Sequence, residues 1–496
     1  MTTQAAIAFA GDRIWSMTLA QEAGEVSARA WEQQVDSSIV HPLALLVLGV
    51  SVIWMFAAPR GRAIWSVLVI ACFIPVAQRI AIVELDFNFL RIIGVCALLR
   101  LLLYGELRTI RIELADRLMI ALVGSVVVLS LLRGGTGEAV TQAGAGLSFF
   151  TMYWAGRGLV RTSEDVRRLM IGVGVVAVPV ALFMTIEQLT GRNNFSVFGG
   201  VDTYTILRAG KLRAQGAFCH PIIAGVFFAC LIPVSVGIIL GRARRTAVLL
   251  GGWLPIVLGG VVVVMTNSST PIAGVLIGLL GWSAFRLRRN FGICIVVLLV
   301  LGLAAHFASS RGLHGVVFNR VDFTGSSTGY HRYLLVDGLL ENVSSWALLG
   351  DSEPGYNQSF QDQTNMYVIT ALTGGLLALG IQVALVVAAF RSAAAGIRAA
   401  STRDGLLTCY GLGCAFMVAC VSFTAVACFG QGAFTWYALL GVLVSVSRSV
   451  AGASFPADRP RTDGDPPRPG TLAEERAARP PGAGPADKAR SRAAAS

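Results

Sequence analysis

FQDQTNMYVITALTGGLLALG, residues 360–380, poses two questions at once. From Met366 the apolar run continues to about residue 390. Core strands span roughly 4–8 residues, whereas a helix needs about 20 apolar residues to cross a bilayer. Length therefore argues for a membrane-crossing helix. Directly before it stand Asp362, Gln363, Thr364 and Asn365, an acid and two amides at the mouth of a greasy segment.

The same apolar pattern recurs through most of the chain. Of 496 residues, 55% are hydrophobic and 14% charged, against about 25% charged in soluble proteins. Thirteen apolar segments read at about 42–58, 63–82, 87–104, 117–132, 141–159, 169–188, 217–240, 247–265, 270–285, 291–307, 366–390, 406–428 and 433–449. Unpaired backbone groups are not tolerated in lipid, and the runs do not alternate as barrel strands do, so they are helices. The predicted fold is an all-α polytopic membrane protein of about 12–13 transmembrane helices.

Charge orients it. Arg60/Arg62, Arg108/Arg111/Arg117, Arg157/Arg161/Arg167/Arg168, Arg242/Arg244/Arg245, Arg286/Arg288/Arg289 and Arg391/Arg398/Arg403 fall on every second connection. By the positive-inside rule these connections are cytoplasmic; with thirteen segments the N-terminus lies outside, and with an even count both ends lie inside. The +12 formal charge is thus a topology signal, not a sign of nucleic acid. The chain divides into a non-membrane segment 1–40, a first membrane part 41–307 of about ten helices, an outer loop 308–365 expected to hold short helices, three further helices over 366–450, and a Pro-rich tail 451–496 expected to be disordered. Nine cysteines form no CxxC pair, and five histidines form no HExxH. Neither a metal site nor a cofactor is expected.

The outer connections carry the candidate chemistry. In 189–216, Arg208, Lys211 and Arg213 place positive charge on the wrong side for topology, which needs a reason. Contact with lipid headgroups is one reason. A phosphate or pyrophosphate partner is another, because guanidinium forks match phosphoryl oxygens. The stretch RAQGAFCHP runs from Arg213 through Gly216 to His220 and Pro221, which either cap the next helix or help bind substrate. MTNSSTPIAG, 265–274, is a tight polar turn, and its Asn267 could line a cavity. In 308–365, Arg332 opens an apolar periodic run after a Gly/Ser/Thr turn, with His331 beside it and Arg320 upstream. Asp362 and Asn365 read either as a helix cap or as a base and a sugar-hydroxyl ligand.

Taken together, these stretches resemble the O-antigen ligase-like/O-antigen polymerase superfamily. Arg213-x-x-Gly216…His220-Pro221 is similar to that family's Arg-x-x-Gly…His-Pro signature. Asn267–Gly274 resembles its polar turn, Gly325–Gly355 its long outer loop, and Asp362–Asn365 with Gly374/Gly375 its return to the membrane. The firm resemblance covers about 205–380. It implies a metal-independent glycosyltransferase of the bacterial inner membrane with a periplasmic active face. The donor it implies is a polyprenyl-diphosphate-linked oligosaccharide, and the acceptor a growing glycan or a lipid, with a chain-length regulator or export complex as further partner. Arg213 and Arg332 would hold the diphosphate, Asp362 or His331 would serve as base unless the reaction has no dedicated base, and Arg208, Lys211, His220, Asn267, Arg320 and Asn365 would bind substrate. Ligases that load lipid A–core carry a histidine beside the final Asn, whereas this chain reads Asp362-Gln-Thr-Asn365. That departure favours a repeat-unit polymerase over a ligase. A lipid-linked sugar transporter would not need the arginine-bearing loop and would tend to show inverted repeats.

Overall fold

The computed structural model describes residues 38–82, 85–208, 210–241, 244–290, 329–351 and 364–452. Its helices are α1 Pro42–Ala57, α2 Arg60–Phe73, α3 Phe89–Leu103, α4 Leu114–Leu159, α5 Ser163–Thr190, α6 Pro221–Leu240, α7 Arg245–Met265, α8 Ser269–Ser283, α9 Gly329–Glu341, α10 Val343–Trp346, α11 Met366–Ala399, α12 Arg403–Ser422 and α13 Gln431–Val450. Two small antiparallel hairpins, β1 Arg79–Ile82 with β2 Leu85–Asn88 and β3 Ile206–Arg208 with β4 Lys211–Arg213, lie between helices. Among the described residues, 8 helices are long and apolar enough to cross a membrane. The molecule is an all-α multi-pass membrane protein.

Every predicted apolar segment falls on one of these helices except 291–307, which lies outside the described residues, as does the tail beyond 452. The 63–82 segment needs correction. Its helix stops at Phe73 because Pro75 cannot continue it, and Arg79–Ile82 is a strand. The 406–428 run likewise leaves the helix at Ser422.

Helix α4, at 46 residues, covers two predicted segments by doubling back. At about 1.5 Å per residue, a straight helix would hold Asp116 and Tyr153 more than 50 Å apart. Yet the Tyr153 hydroxyl donates to Asp116 Oδ1 at 2.5 Å. The reversal is at Gly135, whose φ of 74° and ψ of −161° only glycine adopts at ease. The second arm packs backbone to backbone on α13, where Gly156 and Gly441 leave no room for a Cβ. Lipid gives no hydrophobic drive between helices, so small residues that permit such closeness supply the packing energy.

The arginine-rich connections gather on one face and are structural as well as topological. Arg60 pairs with Asp165 at 3.1 Å, Arg167 with Asp404 at 3.6 Å and Arg448 with Glu113 at 3.0 Å. Buried Arg161 donates to the Glu106 carbonyl at 2.7 Å and the Thr109 hydroxyl at 2.6 Å. The other connections meet on the opposite face. There Ile39 bridges Arg79, Ala214 N–H donates to the Met265 carbonyl at 3.1 Å, and Met366 N–H donates to the Phe423 carbonyl at 3.0 Å. The first described residues therefore sit on the face away from the arginine-rich connections.

The long loop contributes the expected short helices. Leu335, Leu339 and Trp346 of α9 and α10 pack on Val368, Ala371 and Leu372 of α11. Helix α11 is broken at Gly374–Gly375, where φ at Gly375 is 61°.

Candidate functional site

The site is built on hairpin β3–β4. Arg208 pairs with Lys211 across it, and Ile206 with Arg213. Cross-strand partners share a face, as do residues two apart on one strand. Arg208, Lys211 and Arg213 therefore occupy a single face. Like charges directly opposite each other destabilise a hairpin, so this one is set up against its own electrostatics. Lys211 is exposed, Arg208 half-buried and Arg213 only 5% exposed, a graded strip from solvent to interior.

The polar turn between α7 and α8 receives the buried end. Arg213 Nη2 donates to Ser268 Oγ at 2.6 Å and Nε to the Thr266 carbonyl at 3.4 Å. Arg332, at the start of α9, donates from Nη2 to Thr270 Oγ1 in the same turn at 3.2 Å. Among the described residues, no carboxylate pairs with Arg213. Burial, then the like charges of Arg208 and Arg332, lower its pKa to about 10, so it stays charged at neutral pH.

Three buried polar side chains, from α5, from the turn just after it and from α13, fix the segment after Arg213. Glu187 of α5 accepts the N–H groups of Gln215 at 3.1 Å and Gly216 at 2.9 Å. Asn193 Nδ2 donates to the Gly216 carbonyl at 2.8 Å. Gln431, at the start of α13, accepts from Cys219 N–H at 3.2 Å and donates to the Ala217 carbonyl at 3.1 Å. Gly216, at φ 62°, makes the turn these ties require. Sequence reading missed all three. For Glu187 a signal existed, since a carboxylate inside an apolar run marks a functional position by default.

The remaining predicted residues divide. His220 caps α6, its Nδ1 accepting Ile222 N–H at 3.1 Å, which leaves the ring proton on Nε2. Asn267, at φ 42°, donates from Nδ2 to the Leu212 carbonyl at 2.6 Å and so ties the turn to β4. Asn365 caps α11, its Oδ1 accepting from Tyr367 N–H at 2.9 Å and Val368 N–H at 3.3 Å. That oxygen is committed to the helix start and not offered to a ligand. The backbone of His331 lies in α9, while its side chain, Asp362 and Arg320 lie outside the described residues. The structure thus brings together Arg208, Lys211, Arg213, Arg332, His220 and Asn267. Among the described residues, no three His, Cys, Asp or Glu side chains are grouped to hold a metal ion.

Burial, then Arg213 and Arg208, push the His220 pKa down to about 3. An unfolded histidine titrates near 6.5. Below that pH the unfolded chain binds a proton that the folded one refuses. The stabilisation is fully present above about pH 6.5 and is lost as pH falls toward 3. The thermal midpoint of the purified protein should drop between pH 6.5 and 5, and His220→Gln should flatten that part of the curve. An unchanged curve would show that His220 is not held neutral.

The chain matches no protein-family profile and no curated protein. What the fold and site define is a class, a multi-pass α-helical membrane protein with a cationic cluster on the face away from its arginine-rich connections.

Proposed function

We propose that the chain is a glycosyltransferase of the O-antigen polymerase type. In this reading it polymerises polyprenyl-diphosphate-linked oligosaccharide repeat units on the periplasmic face of a bacterial inner membrane. The observation that carries the reading is Arg213, which is 5% exposed and without a carboxylate partner among the described residues, yet shares its surroundings with Arg208 and Arg332. Burying an unpaired cation costs several kcal/mol. A diphosphate would offset that cost and relieve the Arg208–Lys211 repulsion as well.

Arg213 and Arg332 bind the two phosphates and stabilise the charge that grows on the leaving group. An acceptor hydroxyl oxygen attacks the anomeric carbon. The bond from that carbon to the phosphate oxygen breaks, and polyprenyl diphosphate leaves with the electron pair. The hydroxyl proton passes to a base or to water, with Asp362 and His331 as the candidate bases. The preference for polymerisation over ligation rests on Asp362-Gln-Thr-Asn365, which has no histidine beside Asn365.

Reconstitution tests it. Purified protein in liposomes, given only lipid-linked repeat units, should make long polymer and release polyprenyl diphosphate. Glycan of unchanged length appearing on an added lipid acceptor would convert the reading to ligase. Intact donor after prolonged incubation would end the enzymatic reading.

A further inference from the structure

The break in α11 is closed by side chains and backbone from two other parts of the chain. A helix that stops and restarts inside a membrane protein exposes carbonyls and N–H groups that must find partners. At Gly374–Gly375 they do so within the crossing that follows α10. Asp351 N–H donates to the Leu372 carbonyl at 2.6 Å, and Leu376 N–H donates to the Ala347 carbonyl at 2.9 Å. The tip of the α4 hairpin supplies the rest. Arg133 Nη1 donates to the carbonyls of Leu349 at 2.6 Å, Thr373 at 3.0 Å and Leu372 at 3.2 Å. Its other nitrogens are held by Glu138. A cation at the C-terminal end of the first half of α11 also complements that half-helix's dipole. Gly350, at φ 83°, lies where a Cβ would strike both the Leu372 carbonyl and Arg133.

This junction bears on the cationic site through packing. The first half of α11 carries Val368, Ala371 and Leu372, on which Leu335 and Leu339 of α9 rest. Trp346 joins them, its indole N–H donating to the Leu339 carbonyl at 2.8 Å. Arg332 projects from the start of that same α9 to Thr270. The guanidinium of Arg133 thus ends the platform on which the Arg332 helix lies.

We infer that Arg133 is a positioning residue that clamps the 347–351 crossing into the break of α11 and so holds Arg332 over the cationic site. The inference rests on the proposed reaction for its catalytic consequence, though the clamp itself does not. Hydrogen exchange by mass spectrometry, on protein in lipid nanodiscs, reads the clamp directly. Arg133→Ala should raise exchange at Asp351, at Leu376 and across α9 by about 10-fold or more, and leave the β3–β4 hairpin unchanged. Gly350→Ala, with Arg133 intact, should do the same. Arg133→Lys, which keeps a cation at the carbonyls, should recover part of the protection.

In the reconstituted polymerisation assay, Arg133→Ala should lower turnover roughly 10- to 100-fold, with partial rescue by Arg133→Lys. Wild-type exchange in Arg133→Ala would overturn the clamp. Raised exchange with wild-type turnover would overturn the positioning role. Should the wild-type protein make no product, the proposed reaction fails, and the exchange experiment still decides whether the clamp exists.

Discussion

Replacing Arg213 by Met should reduce polymer formation by roughly 100- to 1,000-fold, the loss typical when one preorganised charge donor is taken from a developing anion. The same variant should reach the membrane and unfold at a temperature equal to or above that of the wild type. Arg213 is buried beside two other cations and spends its hydrogen bonds on Ser268 and the Thr266 carbonyl. Removing a buried charge is strongly destabilising where it strands an opposite charge, and among the described residues Arg213 has no carboxylate that its loss would strand. Lost activity with retained or gained stability is the signature of a residue kept for a ligand. Arg213→Lys should recover only part of the activity, because a single ammonium cannot reproduce the two-pronged grip on phosphate oxygens. Product assay and thermal unfolding on the same preparation check both halves. A wild-type rate in Arg213→Met would remove the residue from the reaction, and instability matching the lost activity would make its role structural.

The opposite outcome is expected at the other face. Asp116→Ala should cost about 3–5 kcal/mol, because it leaves Arg157 buried and uncompensated. Asp116 is 0% exposed and Arg157 1%. Arg157 donates from Nε to Oδ1 at 3.1 Å and from Nη2 to Oδ2 at 3.2 Å, and the Tyr153 hydroxyl donates to the same carboxylate. Arg157 also reaches the Ser445 hydroxyl of α13 at 3.3 Å and the Arg111 carbonyl at 3.0 Å. One carboxylate therefore secures both arms of α4 and their seat against α13. Denaturant titration in detergent measures the loss. Combining Asp116→Leu with Arg157→Met should regain much of it, since no charge is then stranded. A double variant no more stable than the single one would show that the two groups are not coupled.

Hydropathy and arginine spacing made the helices and their alternation legible, because both are local properties of a chain in lipid. The β1–β2 hairpin was not legible, since Ile80–Ile82 is as apolar as the helix before Pro75 and hydropathy does not separate the two. In the site, Arg208, Lys211 and Arg213 stood out by violating the charge rule, and Asn267 by lying in a polar turn. Asn365 was legible as a cap, and its Oδ1 is used as one. What no local signal carried were the ties made across the whole chain. Gln431 fixes Ala217, and Arg133 fixes Leu349, each over more than two hundred residues. A glutamine or arginine beside an apolar run looks the same whether it meets a carbonyl or water.

The α4 hairpin also carries a consequence for biogenesis. Its arms reverse at Gly135 and share the Asp116–Arg157–Tyr153 contacts, an arrangement suited to two passes that enter the bilayer as one unit. Asp116 and Arg157 lie at the arginine-rich end, where Arg157 also meets the Arg111 carbonyl. The charges that must be carried to the far side are Arg133 and Glu138, and these neutralise each other within the tip. An arginine translocated alone would oppose both the membrane potential and the charge rule that orients the chain. In such an insertion Glu138 would serve as a travelling counter-ion, so that the arginine that closes α11 crosses the membrane at no net charge.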